Sequence, residues 1–253
     1  MPTVRTGPLF GLIAQVALLV VLDRVVGLAA VGLIVGAACG LVVSGTLARG
    51  LSRAYAAALG PADRVTLIRS TLVGGVAALV ASGFVRPTSQ ALLVTIATVA
   101  LVLDAVDGWV ARRTGTASAL GARFDMEIDA FLILVLSVQV ARSAGVWVLA
   151  IGLARYAFVT AGRVCPWLRR ATPARYWCKT VAAIQGIVLT VAVTHLLSWR
   201  LADLALVGAL ALLCESFGHD VVWLWQHRPS PVRTHIANRR GLSPVERVVG
   251  VSE

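Results

Sequence analysis

Four aspartates, Asp104, Asp107, Asp125 and Asp129, fall within twenty-six residues of a chain that is otherwise almost all hydrocarbon. The stretch runs Asp104-Ala-Val-Asp107-Gly108-Trp-Val-Ala111-Arg112, then eight residues, then Gly121-Ala-Arg-Phe-Asp125-Met-Glu-Ile-Asp129. Carboxylates in a lipid-embedded segment are costly and by default mark function. Four so close together repel one another unless something positive stands among them. Divalent metal is the simplest answer, and carboxylate oxygens suit hard cations such as Mg²⁺, Mn²⁺ or Ca²⁺. Two such ions would neutralise four aspartates, and a pair of this kind clamps a phosphoryl group. Arg112 and Arg123 at the rim suit phosphate oxygens. The chemistry indicated is therefore metal-dependent and acts on a phosphate.

Two helices must position these groups. Asp104, Asp107, Gly108 and Ala111 share one helical face, and so do Gly121, Asp125 and Asp129. Arg113–Leu120, with Thr114-Gly115-Thr116, reads as a short turn between them. Two antiparallel helices would then point two carboxylates each into one gap. Gly108 and Ala111 leave that gap unfilled. Small residues there can serve close helix packing, or they can admit a flat ligand; the carboxylates on the same face favour the ligand. Glu127 points off that face, as a solvated or ion-paired group.

The elements around them are membrane spans. Of 253 residues, 58% are hydrophobic and 14% charged, with a mean hydropathy of +0.85. A soluble domain would carry about 25% charged residues. Apolar runs cover Pro8–Leu22, Val25–Leu47, Val65–Val85, Ala91–Ala111, Ile128–Val140, Ala144–Val164, Thr180–Trp199 and Leu204–Trp225. A helix needs about 20 residues to cross the hydrocarbon core. The fifth run reaches that length only if it starts near Gly121 and so includes two aspartates. The expected fold is all-α and integral to the membrane, with about eight helices. The first run is short enough to suggest a signal peptide, but Val25–Leu47 follows almost at once without a clear cleavage site.

Arginine placement orients the chain. With the N-terminus inside, eighteen Lys and Arg residues fall on the cytoplasmic side and four (Arg24, Arg86, Arg142, Arg200) on the other, while Arg155 lies within a span. That asymmetry places the aspartates and both termini at the cytoplasm. The net charge of +11 and pI near 11.1 then reflect attraction to anionic lipid headgroups and not nucleic-acid binding. Cys39, Cys165, Cys178 and Cys214 have no metal-ligand spacing and read as small hydrophobes. The four histidines are scattered, and neither a P-loop nor a dinucleotide fingerprint is present. Trp199, Trp223 and Trp225 read as interfacial anchors, and Gly74 and Gly75 as packing contacts. Ala48–Asp63 reads as a connector able to lie as an interfacial amphipathic helix. Arg163–Arg175 reads as a basic loop, and Gln226–Glu253 as a polar tail.

The aspartate stretch resembles the signature D-x2-D-G-x2-A-R-x8-G-x3-D-x3-D of the CDP-alcohol phosphatidyltransferases. All eight fixed positions match: Asp104, Asp107, Gly108, Ala111, Arg112, Gly121, Asp125 and Asp129. Members have a six-helix core whose first helix often opens with a P-N-x-x-T-x-x-R-like run. Pro61-Ala-Asp63-Arg-Val-Thr66-Leu-Ile-Arg69 looks similar, with one inserted residue and Asp63 where Asn is usual. Cys178-Lys179-Thr-Val-Ala-Ala-Ile-Gln185 partly matches a later G-K-x-K-T-x-x-Q-like run. The resemblance implies a six-helix catalytic membrane core over 62–225, preceded by two extra transmembrane helices and a connector in 1–61 and followed by a basic tail, 226–253.

The reaction implied is displacement at phosphorus. An alcohol attacks the lipid-bearing phosphate of a CDP-linked donor, CDP-diacylglycerol or another CDP-alcohol, and CMP leaves. By resemblance, Asp104, Asp107, Asp125 and Asp129 hold two Mg²⁺ ions, with Mn²⁺ as a substitute, and Asp129 is the general base. Gly108, Ala111, Arg112 and Gly121 would line the nucleotide site, with Thr66 and Arg69 carried over from the earlier run. Arg155, mid-span, is either a structural ion pair or a substrate group. With Arg163 and Lys179 it could form a cationic pocket for an acceptor phosphate, as in inositol phosphate or glycerol phosphate. A homodimer in the cell membrane, among membrane lipids, is the expected assembly, active in phospholipid biosynthesis. Two other classes compete. Aromatic prenyltransferases of the ubiquinone-biosynthesis type also use Mg²⁺ but carry two distant Asp-rich motifs. A carboxylate-lined transporter would show internal symmetry and broken helices.

Overall fold

The computed structural model describes residues 6–54, 61–114, 119–169 and 176–227. Eight α-helices account for nearly all of them: α1 (Thr6–Val26), α2 (Ala30–Ala54), α3 (Pro61–Ser82), α4 (Gln90–Thr114), α5 (Ala119–Ala144), α6 (Leu149–Val164), α7 (Tyr176–Val193) and α8 (Trp199–Gln226). No strand occurs among the described residues. Each expected apolar run corresponds to one helix. The first, short by hydropathy, is a full 21 residues and ends at Gly27, whose φ of 66° lies where a side chain is disfavoured. The fifth extends to Ala119, as a span containing two aspartates requires.

Five helices are long and apolar enough by composition to cross a membrane: those over Leu9–Val26, Ala30–Arg49, Val65–Ser82, Val146–Val164 and Trp199–Gln226. The apolar parts of α4 and α7 are shorter, Gln90–Val106 and Trp177–Val193. The helix carrying Asp125, Glu127 and Asp129 fails on charge, because its carboxylates occupy the length that a lipid-facing span would fill with hydrocarbon. This is a multi-pass membrane fold whose charged helix is shielded by its neighbours. Two of the expected connectors are shorter than the sequence suggests. Ala48–Ala54 continues α2, and α6 runs through Arg163 to Val164 before a 3₁₀ turn at Pro166–Arg169. The remainder of both connectors (55–60 and 170–175) and the tail from 228 lie outside the described residues.

The bundle is built around α3. It packs against α1, α2, α4 and α5. Of its apolar window 67% is buried, against 17–22% for the other four membrane-length helices. Those four turn most of their surface outward, as lipid-facing helices do. α8 has exposed tryptophans near both ends, Trp199 and Trp225, as an interfacial belt requires.

Without a hydrophobic force between lipid-solvated helices, close approach depends on small residues. Glycines supply it here. Gly186 of α7 receives Leu101 of α4, and Gly152 of α6 meets the backbone of Leu134 on α5. The tightest notch is Gly32 of α2. A Cβ there would lie 1.9 Å from the Ser82 hydroxyl oxygen and 2.6 Å from the Ala78 carbonyl oxygen. The carbonyl belongs to α3 and cannot turn aside. Gly32→Ala is therefore expected to destabilise the protein by roughly 1–3 kcal/mol, the usual cost of overpacking. Gly45→Ala, where nothing lies within 4 Å, is expected to be near neutral. Thermal unfolding of both variants in detergent checks the difference.

Candidate active site

α3 carries an unusual polar run for a buried helix: Thr66, Arg69, Ser70 and Thr71 are all buried. The Ser70 and Thr71 hydroxyls donate to the Leu67 carbonyl, at 2.7 and 3.1 Å, and so satisfy themselves within the helix. Arg69 cannot do that. Its side chain is 1% exposed, and a buried cation needs anionic partners.

Those partners come from two other helices. Arg69 Nη1 donates to Asp104 Oδ1 on α4 and forms an ion pair, at 3.1 Å, with Asp129 Oδ1 on α5. Its Nη2 donates to Asp125 Oδ1 and, at 3.3 Å, to the Asp125 carbonyl oxygen. The planar guanidinium fork suits such multiple engagement, where an ammonium would act as a single point. One side chain of α3 thus gathers carboxylates that lie 35 and 56 residues further along the chain. α3 and α7 each pack against both α4 and α5, so a helix stands on either side of the gap.

Asp104, Asp125 and Asp129 each offer a carboxylate oxygen within 4.8 Å of the others. Their side chains are 32%, 27% and 29% exposed, so the cluster is reachable from outside. Three carboxylates against one guanidinium leave two formal negative charges, the charge of one divalent cation. Oxygen donors at this separation fit a hard divalent ion. A second ion would call on Asp107, which lies in α4 with a side chain outside the described residues.

Of the residues singled out by spacing, the structure brings Asp104, Asp125 and Asp129 together, and with them Arg69, which the resemblance points to. Thr66 is buried one turn before Arg69. Gly108 on α4 and Gly121 at the start of α5 are partly exposed. The side chains of Ala111 and Arg112 lie outside the described residues. Lys179, exposed in the first turn of α7, stands within electrostatic reach of Asp125.

Arg155 resolves as an ion pair. Its Nη2 donates to Glu127 Oε1, joining α6 to the side of α5 that faces away from the aspartates. Its Nε is buried and makes no hydrogen bond among the described residues. Glu127 had the right spacing to be recognised as off the catalytic face. Nothing local marked Arg155 as its partner, 28 residues away. Likewise, nothing in the aspartate stretch itself signalled that a guanidinium would reach all three carboxylates. The only pointer was the Thr66–Arg69 run.

A family model described as CDP-alcohol phosphatidyltransferase matches residues 59–217. Comparison with curated proteins and with solved structures gives no match.

Proposed function

The chain belongs to the CDP-alcohol phosphatidyltransferase family, and from that premise we propose that it moves a phosphatidyl group from CDP-diacylglycerol to a phosphorylated polyol at the cytoplasmic face of the cell membrane. The coarser statement follows from membership: it is a transferase for substituted phosphate groups, passing one from a CDP-alcohol to an alcohol. The observation that carries the site assignment is the convergence of Asp104, Asp125 and Asp129 on one point beside Arg69.

A divalent cation held by Asp104, Asp125 and Asp129, with Asp107 for a second, would screen the donor diphosphate and the charge that develops on the leaving CMP. The protein does the rest by positioning, which carries most of phosphoryl-transfer catalysis. Arg69 fixes the spacing of three carboxylates that would otherwise repel. Asp129 takes the proton from the acceptor hydroxyl as the new oxygen–phosphorus bond forms and the bond to CMP breaks. Gly108, Ala111, Arg112 and Gly121 border the nucleotide. Lys179, and Arg163 in the last turn of α6, are the cations proposed for an acceptor phosphate. Arg155, paired with Glu127, would join them only on leaving that carboxylate. Residues 62–225 form the proposed catalytic unit, working as a homodimer.

The test uses purified chain in detergent with CDP-diacylglycerol. CMP release is expected to require Mg²⁺ or Mn²⁺, to stop with a chelator, and to be fastest when glycerol phosphate or inositol phosphate is supplied. Equal rates with inositol, serine or other uncharged or amine acceptors would remove the phosphorylated polyol. No CMP release with any acceptor would remove the lipid donor.

A further inference from the structure

We propose that the α1–α2 hairpin, which precedes the family match, sets the position of Arg69, and that the contact of Gly11 with Leu67 is where it does so. The hairpin grips α3 along its length. At one end the buried Gly11 of α1 faces Leu67, where a Cβ would lie 2.8 Å from Leu67 Cδ1. In the middle, the Gln15 side chain fills the space at Gly74, whose added Cβ would lie 2.6 Å from Oε1. At the far end the Ala29 backbone N–H donates to Ser82 Oγ at 3.2 Å.

Helical geometry gives these contacts a direction. At 100° per residue, positions 67, 74, 78 and 82 form one stripe of α3, and position 69 projects about 200° from it. The hairpin therefore presses on the back of α3 while Arg69 extends from the front to Asp104, Asp125 and Asp129. A shift of α3 is passed directly to the guanidinium. Gln15 reinforces the register. Its side chain is 2% exposed, lies against Gly40 of α2 and Gly74 of α3, and its Nε2 makes no hydrogen bond among the described residues. A buried polar group held between two glycines fits one alignment of three helices and misfits its neighbours. Of these contacts the one between Gly11 and Leu67 lies nearest the site, since Leu67 is two residues from Arg69. They form a positioning contact, acting through Arg69.

This rests on the transfer reaction proposed above, and the test separates the two. In the full chain in detergent, Gly11→Val is expected to lower kcat about tenfold to a hundredfold, the range for a misplaced catalytic group. KM for CDP-diacylglycerol should change less than about twofold, since uniform binding is untouched. The Mg²⁺ concentration for half-maximal rate should rise. Leu67→Ala in the same chain should restore most of kcat, because it reopens the space that valine takes. Gly45→Ala should behave as the unaltered protein. If Gly11→Val fails to fold, Leu67→Ala alone removes the contact without crowding and should shift kcat and Mg²⁺ requirement in the same direction. A second readout needs no turnover: Mg²⁺ should raise the unfolding temperature of the unaltered chain, and much less that of the variant. Unchanged kcat and Mg²⁺ response in the folded variant, or a rate lost only in proportion to folded protein, would overturn the role of the hairpin. An unaltered chain that responds thermally to Mg²⁺ yet releases no CMP would instead overturn the reaction.

Discussion

Asp125→Ala is expected to reduce CMP release by about a thousandfold or more, at the upper end of what loss of one charge-stabilising group costs. Asp125 is the best placed of the three carboxylates for this test. It meets Arg69 through both its side chain and its carbonyl oxygen, so the backbone contact survives the substitution and helps keep α3 and α5 in register. Asp125→Asn should be nearly as damaging, because an amide keeps the shape but loses the charge that a divalent cation requires. Mg²⁺ titration of each variant, followed by CMP release, reads the effect. Full activity in Asp125→Ala would sink the assignment of the site.

Arg69→Ala is expected to damage both rate and stability. Removing one partner from a buried charge pair costs about 3–5 kcal/mol. Here the carboxylates are about 30% exposed, so solvent relieves part of the strain and the lower end is expected. Three carboxylates would then face one another with no resident cation. Without the fork that spaces them the carboxylates hold a cation less well, so Mg²⁺ should raise the unfolding temperature of Arg69→Ala less than that of the unaltered chain. Arg69→Lys should recover some stability but little rate, because an ammonium cannot engage three carboxylates as a planar fork does. Equal Mg²⁺ shifts in Arg69→Ala and the unaltered protein would show that the guanidinium is not part of the cation site.

Much of this arrangement is legible in the sequence. Apolar runs gave every helix, because lipid leaves the backbone no other solution. The 0, 3, 4, 7 and 0, 4, 8 spacings put Asp104 on one face and Asp125 with Asp129 on another, and the fold brings those faces together. Repulsion demanded a positive group among them. Sequence reasoning supplied a metal for that place, while the fold also supplies Arg69. Helical periodicity relates residues within one helix and says nothing of which third helix lies between two others. The central place of α3 was hidden for the same reason. Its hydropathy is no higher than that of α1 or α2, and only its buried polar run of Thr66, Arg69, Ser70 and Thr71 distinguishes it. The shortfall of α5 as a lipid-facing span has the opposite origin, since three acidic side chains lower its hydropathy while its neighbours supply the shielding that composition does not record.

Chain order bears on how such a protein is made. As synthesis proceeds, α1 and α2 reach the bilayer before α3, whereas Asp104, Asp125 and Asp129 follow Arg69 by 35, 56 and 60 residues. Arg69 lies five residues into the apolar stretch Val65–Ser82, where an unpaired arginine costs a nascent span less than the about 2.5–3.5 kcal/mol of a helix centre on insertion scales. A preformed pair of helices offers the back of that span an immediate berth, with notches cut for Leu67 and Ser82, while the face that carries Arg69 waits for its counter-charges to emerge from the ribosome. The two leading helices would then serve the making of the protein as well as its finished form.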